Sequence, residues 1–541
     1  MQWNLGDLLD HVGRVEPTSR PALIHGDRVL SWADVTRRSN NLARAMHARG
    51  VGPGAKAAFY LRNVPEYMEF LIAALKGRLT HVNVNYRYRE RELLYIFDNS
   101  DTEVVVYSAE FRDRVEQIRE QCPKVKVWVE VDSETPPTYA IAYEALAEEG
   151  DGAPLDIERD PHDPIFVYTG GTTGMPKGVI WTHHIIMSAQ LNSLRALNGD
   201  ADPPSSIPEF LEHVRARGMH ARQLPAAPLM HATGMTVAMG AMVSGGCVIT
   251  LPTTTKFDAA ELWREASRHG ATSITIVGDA FAKPMLAALE EAKEPYKLDS
   301  VQSIVSSGVV WSSPVKQGLV KHIQQVLLLD SLGSTEAPAC GATITTKDGE
   351  VTETLDFRVG PECRVFDEND NEVEPGSGKI GFMARSGFIP IGYYKDEAKT
   401  RETFKTIGGV RYAIPGDLCH VEADGRLVLL GRRSSCINTG GEKVFAEEVE
   451  ETLKAHPAVD DANVIGVPDE KWGQAVIAVV APRAGANADE AELRAFVHER
   501  LAGYKTPKRI FTKPDLERHP NGKPNYERMR TYALAELERS A

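Results

Sequence analysis

The sequence has few cysteines, and they are spread singly along its 541 residues. The six cysteines lie at positions 122, 247, 340, 363, 419 and 436. None belongs to a C-x-x-C pair, which argues against a zinc site and against a disulfide scaffold. We therefore expect free thiols in a reducing cytosol.

The sequence also lacks long apolar runs and blocks of one charge. No stretch approaches the ~18 to 20 apolar residues of a membrane-spanning helix, and "MQWNLGDLLDHVGR" has acids where a signal peptide carries basic residues. The formal net charge is −14, and no five or six like charges follow one another, which argues against a nucleic-acid partner. We expect a soluble, cytoplasmic protein without a transmembrane segment.

Helical stretches alternate with short β-branched runs, such as "KAAFYL" and "TEVVVYS", through the first half of the chain. This alternation predicts α/β architecture with a mainly parallel sheet. From about residue 360, short strands and turns predict a β-rich subdomain, whereas residues 192–227 are polar and proline-bearing and predict a surface connection. Past "GRRSS", the order helix, strand, strand, helix predicts a small α+β domain.

The stretch "YTGGTTGMPKG", residues 168–178, has the composition of a phosphate-binding loop. A P-loop of nucleotide hydrolases is excluded, because Lys177 is followed by Gly178 and not by Ser or Thr. The apolar run "DPIFVYT" before the loop and "VIW" after it predict strands, and Thr182 can cap the next helix. Taken alone, such a loop is as compatible with a tight turn as with a phosphate site.

Further motifs follow this loop in a fixed order. They are "PLMHATG" at 228, "SLGSTE" at 331, "PGD" at 415, "GRRSSCINTGGEKVFAEEVE" at 431 and "NGKPNY" at 521. Together with the loop, this set resembles the acyl-adenylate-forming family of acyl-CoA synthetases, adenylation domains and firefly-luciferase-like enzymes. "NVNYRYRERELLYIFDNSD" and "GYYKDEAKTRETFKTIGGVRYAIPGD" are similar to bacterial ligases of steroid side-chain and fatty acids.

The resemblance implies an ATP-dependent carboxylic acid:CoA ligase that uses Mg²⁺ and coenzyme A. Such an enzyme forms an acyl-adenylate and then a thioester, with release of pyrophosphate and AMP, and its small-molecule substrate is a bulky or medium/long-chain apolar acid. An acyl-AMP ligase that loads a carrier protein and an aryl acid:CoA ligase are alternatives. A catalytically silent sensor of nucleotide or acyl ligands is a third class, and the sequence is compatible with a homo-oligomer.

The resemblance also implies two domains, residues 1–432 and a mobile C-terminal domain of residues 433–541, with a hinge near Ser434. It assigns the phosphates of ATP to Thr169, Gly170, Gly171, Thr172, Thr173, Gly174 and Lys177. Glu336 corresponds to the Mg²⁺ carboxylate, and Thr335 is placed to bond the adenylate. Asp417 and Arg432 correspond to the residues that hold the ribose.

The adenine site departs from the family pattern, because Leu332 stands where many relatives carry a stacking tyrosine. The base is therefore expected to be held by apolar contact and by the backbone of "SSGVV", residues 306–310, which includes Ser307 and Gly308. Gly333 and Ser334 are assigned to cofactor binding as well.

Lys523 corresponds to the lysine that reaches the carboxylate and the α-phosphate. The pantetheine arm of coenzyme A is assigned to Gly440, Gly441, Glu442 and Lys443. His231 matches a position that closes the acyl site, although a hydrogen-bonded core histidine explains it equally well. Methionines 230, 235, 239 and 242 fit either an acyl tunnel or core packing.

Overall fold

In the computed structural model of the chain, the described residues are 2–171, 174–198, 204–216, 220–309, 311–349, 356–432, 436–439, 442–469, 473–519 and 522–540. Only the backbone is described at positions 170, 171, 174, 193–198, 432, 438, 442 and 443. The chain forms two compact units, Met1–Thr352 with Arg385–Ala413, and Glu353–Ala384 with Ile414–Ala541.

The helices of the described chain are α1 Leu5–Val15, α2 Trp32–Ala48, α3 Pro65–Lys76, α4 Glu90–Asn99, α5 Arg112–Ile118, α6 Tyr143–Ala147, α7 His183–Asn198, α8 Ile207–Ala216, α9 Ala232–Val243, α10 Ala259–His269, α11 Asp279–Glu290, α12 Ser313–His322, α13 Glu397–Thr403, α14 Ala446–Lys454, α15 Glu490–Arg500 and α16 Tyr526–Ser540. Short 3₁₀ turns occupy Ala109–Phe111, Arg119–Gln121 and Gly503–Lys505.

The strands are β1 Pro21–His25, β2 Arg28–Ser31, β3 Lys56–Tyr60, β4 Thr80–Asn83, β5 Thr102–Ser108, β6 Val127–Val131, β7 Ala140–Ala142, β8 Pro164–Gly171, β9 Gly174–Thr182, β10 Arg222–Pro225, β11 Cys247–Thr250, β12 Ser273–Ile276, β13 Ser303–Ser307, β14 Leu327–Leu332, β15 Gly341–Thr345, β16 Asp356–Val359, β17 Cys363–Phe366, β18 Gly381–Arg385, β19 Gly392–Tyr393, β20 Phe404–Ile407, β21 Val410–Ala413, β22 Asp417–Val421, β23 Arg426–Arg432, β24 Cys436–Thr439, β25 Glu442–Phe445, β26 Val459–Asp469, β27 Gly473–Pro482 and β28 Arg509–Thr512.

Two mainly parallel runs of strands organise the first unit. One sheet has the order β19-β9-β8-β4-β3-β5-β6-β7, and its pairs are parallel from β8 to β7, whereas β9 and β19 are antiparallel additions at one edge. The other run has the order β2-β1-β11-β10-β12-β13-β14-β15 and is parallel from β1 to β14. Parallel neighbours place their carboxyl ends at one edge, which is where ligands of open α/β sheets bind.

Each run is covered by its own apolar core. Val82, Val105 and Tyr107 pack with Ile96 and Phe97 of α4 on the first sheet. On the second run, the strand residues pack with tryptophans from two different segments, Trp263 and Trp311. Continuous apolar strands of this kind are typical of parallel sheets that are buried on both faces.

The second unit contains two antiparallel systems. The first has the order β16-β23-β22-β18, with β17 beside β18, and the second has the order β25-β24-β27-β26, with β28 parallel to β27. Helices α14 and α15 pack on one face of the second sheet, and α16 packs on the other. The order α14, β26, β27, α15 confirms the helix, strand, strand, helix pattern expected past "GRRSS".

The α/β class with a β-rich part and a small α+β part is confirmed. The surface connection predicted for residues 192–227 is wrong where α7 continues, where α8 forms and where β10 forms. In α8, Phe210, Leu211 and Val214 lie on one helical face and are buried. The boundary predicted at 433 and the hinge at Ser434 lie outside the described residues and stay predictions. None of the helices in the described part of the chain combines the length and apolar character needed to cross a lipid bilayer.

Candidate active site

The described parts of the glycine loop belong to two paired strands. Strands β8 and β9 pair in antiparallel register, with Thr169 opposite Lys177 and Tyr168 opposite Gly178. Gly178 is required there, because a Cβ would lie 2.8 Å from the Tyr168 ring. Both predicted strands are confirmed, and so is the helix cap, since the Ile185 backbone N–H donates to Thr182 Oγ1 at 3.2 Å.

A buried asparagine connects this hairpin to the segment "PLMHATG". Asn83, at the end of β4, accepts from the Tyr168 backbone N–H at 2.5 Å and donates to the carbonyls of Tyr168 at 2.9 Å and Met230 at 2.6 Å. Asn63, which follows β3, likewise accepts from the Leu229 backbone N–H at 2.7 Å. Two amides at the carboxyl ends of parallel strands therefore fix the backbone that carries His231.

His231 precedes the first residue of α9 and is half-buried. Gly234, in the first turn, is needed for close packing, because a Cβ would lie 2.4 Å from the Pro228 carbonyl oxygen. The four methionines at 230, 235, 239 and 242 are each at most 2% exposed. They pack in the core, so they give no support to an acyl tunnel.

The residues predicted around adenine lie at the carboxyl ends of two neighbouring parallel strands. Ser307 of β13 is opposite Ser331 of β14, so Gly308 and Leu332 follow side by side. Gly308 has a φ of +89°, which favours glycine. Gly333 is required because a Cβ would lie 2.8 Å from the Ala339 backbone nitrogen.

Thr335 and Glu336 occupy a short turn after β14. The Ser334 hydroxyl accepts from the Ala337 backbone N–H at 3.1 Å, and the Ser334 backbone N–H donates to the Ala337 carbonyl at 2.9 Å. Both predicted residues are half-buried at this turn. The motif therefore presents a carboxylate next to the strand ends of the candidate adenine site.

A short segment that sequence reasoning missed links this turn to the hairpin. Strand β19 pairs with β9, with Tyr393 opposite Val179. The Tyr393 hydroxyl donates to Glu336 Oε1 at 2.8 Å, and the Lys177 ammonium donates to Asp396 Oδ2 at 2.5 Å. The hydrogen bond from Lys177 holds the pKa of Asp396 below its usual range. Lys177 and Glu336 are therefore brought to one place by residues 393–396.

In the second unit, Asp417 and Arg432 are directly opposite each other on β22 and β23. The Asp417 side chain is 8% exposed and follows Gly416, whose φ of +101° favours glycine. The backbone thus supports the predicted pairing of these two positions at one ligand. The Arg432 side chain lies outside the described residues.

Lys523 lies on a loop that an ion pair supports. Arg518 donates to both carboxylate oxygens of Asp461, at 2.5 and 2.6 Å, and also to the Gly522 carbonyl at 3.0 Å. Burial alone would raise the pKa of Asp461, but the Arg518 guanidinium outweighs burial and the pKa is lowered. The loop closes where the His519 backbone N–H donates to the Lys523 carbonyl at 2.9 Å. The backbone of the half-buried Lys523 is therefore held to His519, and that of the preceding Gly522 to Arg518.

Comparison with known proteins places these motifs in one family. The model of the AMP-binding enzyme family matches residues 9–387, and that of the AMP-binding enzyme C-terminal domain matches residues 448–523. The chain belongs to the AMP-binding enzyme family. The resemblance stated from the motifs is therefore confirmed.

Curated relatives of this AMP-binding enzyme match along almost the whole chain. The "3-oxocholest-4-en-26-oate--CoA ligase" of Rhodococcus rhodochrous is 39% identical over 97% of this chain and 95% of its own length. The "Medium/long-chain-fatty-acid--CoA/3-oxocholest-4-en-26-oate--CoA ligase" of Mycobacterium marinum is 40% identical over the same shares.

Solved structures share the fold of this AMP-binding enzyme at lower identity. ATP-bound MatB from Rhodopseudomonas palustris has a TM-score of 0.81 at 23% identity and covers 98% of this chain and 99% of its own. The Mycobacterium tuberculosis fatty acyl CoA synthetase has a TM-score of 0.71 at 22% identity, with the same coverage.

Several predicted ligands of the AMP-binding enzyme lie outside what the structure describes. These are Thr172, Thr173, Gly440 and Gly441, together with the side chains of Arg432, Glu442 and Lys443. Gly170, Gly171 and Gly174 are described by their backbone, which lies at the tip of the β8–β9 hairpin. The roles assigned to all of these residues stay predictions.

One buried acid behind the Lys523 loop gives a pH-dependent prediction. Glu450 of α14 accepts from the Val464 backbone N–H at 2.8 Å and from the Tyr526 hydroxyl at 3.4 Å. Burial, with the nearby Glu447 charge, raises the pKa of Glu450 to about 8, against the smaller lowering effects of the Val464 hydrogen bond, Lys454 and Arg518. The folded protein therefore holds a proton that the unfolded chain has released at neutral pH.

We expect stability to fall as the pH rises from about 5 toward 8, because in this range the folded state still binds a proton that the unfolded chain has released. The fall should end once the folded state loses the proton as well, above its pKa of about 8. Glu450→Gln should flatten that dependence, whereas the exposed Glu499→Gln should not. Urea unfolding of the full chain at several pH values, with hydrogen exchange of β26 and β27, measures this. Equal pH dependence in wild type and Glu450→Gln would contradict it.

Proposed function

We propose that the chain is an ATP-dependent carboxylic acid:CoA ligase that uses Mg²⁺ and coenzyme A. A carboxylate oxygen attacks the α-phosphorus of ATP, the bond to the β-phosphate breaks, and pyrophosphate leaves. The thiolate of coenzyme A then attacks the acyl carbonyl carbon, and AMP leaves with the electron pair of the broken C–O bond. Family membership and the order of the motifs support both half-reactions.

The observation that carries the proposal is that Lys177 and Glu336 both form hydrogen bonds with the segment 393–396, the first with Asp396 and the second with Tyr393. A cation and a carboxylate serve different parts of one triphosphate, because the cation binds phosphate oxygens directly and the carboxylate binds them through a divalent ion. Glu336 suits Mg²⁺, which prefers oxygen ligands and is commonly held by one or two carboxylates plus substrate phosphates. When bound there, the ion would offset charge on the departing pyrophosphate.

The substrate that we propose is a bulky or medium/long-chain apolar acid, such as a steroid side-chain acid or a fatty acid. Support comes from the two relatives near 40% identity, whose names state such substrates. An acyl pocket discriminates weakly between acids that differ by one methylene, since that difference is worth only about 1 to 3 kcal/mol. An acyl panel is therefore needed to rank chain length against ring size.

A pyrophosphate-release assay on the purified enzyme tests both parts of the proposal. The panel contains acetate, fatty acids of short, medium and long chain, benzoate and a steroid side-chain acid, each with and without coenzyme A. Acid-dependent release together with a CoA thioester detected by mass supports the ligase. If the acyl-adenylate forms but no CoA thioester is detected, the enzyme would be a ligase that loads a carrier protein. If benzoate is the best substrate, the enzyme would be an aryl acid:CoA ligase. Background release with every acid would indicate a sensor.

A further inference from the structure

Tyr393 is held rigidly at its position in β19. Its backbone N–H donates to Thr400 Oγ1 at 2.9 Å, and its ring is edge-on to Phe404 with the centroids 5.9 Å apart. The side chain is 8% exposed. The preceding Gly392 packs closely against the same threonine, since a Cβ there would lie 2.5 Å from Thr400 Cγ2. The direction of the Tyr393 hydroxyl is therefore fixed by packing on several sides.

That hydroxyl meets a carboxylate whose second oxygen can bind a metal ion. The hydrogen bond to Glu336 Oε1 is 2.8 Å long, and it restricts rotation of the carboxylate about its last bond. A partner of this kind keeps a ligand in the orientation that the ion needs and is often almost as important as the ligand itself. The Lys177 ammonium lies 5.9 Å from the centroid of the same ring, so one tyrosine contacts both groups.

We propose that Tyr393 is a positioning residue that orients the Glu336 carboxylate for Mg²⁺ bound to ATP. The inference rests on the proposed function, because the metal role of Glu336 comes from it. Without the hydroxyl, the carboxylate can rotate, and binding the ion must then also stop that rotation. The effect therefore falls on metal affinity and is overcome by a higher concentration of Mg²⁺.

The neighbouring Tyr394, which directly follows β19, is a matched control. Its hydroxyl donates to a carboxylate oxygen, Asp101 Oδ2, at 2.7 Å, and the Lys395 ammonium shares that oxygen at 2.7 Å. Tyr394→Phe thus removes a hydrogen bond of the same type and nearly the same length that anchors the same segment. Of these two hydrogen bonds, it is that of Tyr393 that ends on Glu336, the candidate metal ligand.

The experiment is a Mg²⁺ titration of acid-dependent pyrophosphate release by wild type, Tyr393→Phe and Tyr394→Phe. We expect Tyr393→Phe to need about tenfold more Mg²⁺ for half-maximal rate, with the rate restored at saturation. Tyr394→Phe should match the wild type within about twofold. Three results would overturn the inference: no shift in Tyr393→Phe, an equal shift in both variants, or a loss that persists at saturating Mg²⁺.

Calorimetry separates this inference from the proposed function. Mn²⁺ is titrated into each protein saturated with a non-hydrolysable ATP analogue, so no turnover is needed. About tenfold weaker Mn²⁺ binding by Tyr393→Phe alone supports the inference even if no tested acid is activated. Equal Mn²⁺ affinity in all three proteins overturns it even if the wild type is an active ligase.

Discussion

Lys523→Ala is expected to slow acyl-adenylate formation by about 10²- to 10³-fold, as the loss of one preorganised donor does at other charged transition states. A carboxylate and ATP repel each other, and a single ammonium near both the attacking oxygen and the α-phosphate offsets that repulsion. The variant should still convert a supplied acyl-adenylate and coenzyme A into the thioester, because in that step no free carboxylate has to approach the phosphates of ATP. Single-turnover pyrophosphate release and thioester formation measure the two steps separately.

Lys513→Ala is the control for this prediction. Lys513 lies in the same unit, so its removal likewise deletes a lysine, and it pairs with Glu517 at 2.6 Å. Both half-reactions should stay within about twofold of wild type, since surface pairs of this kind contribute little. An unchanged adenylation rate in Lys523→Ala would show that the role assigned to Lys523 is wrong.

Glu336→Gln is expected to lower adenylation by about a hundredfold at millimolar Mg²⁺, because the metal loses its charged protein ligand. Glutamine has nearly the same shape, and its carbonyl can still accept from the Tyr393 hydroxyl. The substitution therefore removes charge and keeps the local packing. Raising the Mg²⁺ concentration should recover only part of the rate, unlike in Tyr393→Phe.

Glu402→Gln provides the comparison, because Glu402 is exposed and pairs with Lys399 at 2.9 Å. It should adenylate at close to the wild-type rate, and the thermal midpoints of both variants should lie near that of the wild type. If Glu336→Gln left both the adenylation rate and its Mg²⁺ dependence unchanged, the metal site would have to lie elsewhere in the chain.

The fold followed from the sequence where local patterns are strong. Strands β8 and β9, the Thr182 cap and the order of elements past residue 436 were predicted because apolar runs and turn residues decide them locally. Helix α8 was missed because prolines and acids around it favour a loop. Its apolar positions 210, 211 and 214 pack against the N-terminal segment, with the rings of Trp3 and Phe210 6.0 Å apart, and the sequence gives no sign of that partner.

The candidate site was predicted by motif and not by geometry. "YTGGTTGMPKG" and "SLGSTE" identified Lys177 and Glu336, but nothing in either motif indicates that residues 393–396 lie between them. The signal lies in "GYYKDEAKT", where Tyr393 directly follows Gly392 and Asp396 is four residues after that glycine. A tyrosine hydroxyl and an aspartate carboxylate are chemically suited to such contacts. Asn83 was missed for the same reason, because a single asparagine at a strand end shows no partner until the sheet order is known.

Glu450 could have been found from the sequence. Ala446, Val449, Glu450 and Leu453 have the i, i+3, i+4, i+7 spacing of one helix face, and the structure buries all four. The acid thus lies on the apolar side of α14, where burial makes its carboxylate hard to ionise. An acid within an apolar helical stripe can be recognised from the sequence. Its contact with Tyr526 cannot, because that contact depends on how α16 packs.

The chain passes from one compact unit to the other more than once, since residues 353–384 and 414–541 form one unit and residues 385–413 return to the other. A single cut therefore cannot separate the units. Removing everything after residue 413 would leave β16 and β18 without their partners β23 and β22, as exposed edges that invite aggregation. Exchanging the small unit between relatives requires two grafts, and the returning loop that bears Tyr393 must stay with the recipient.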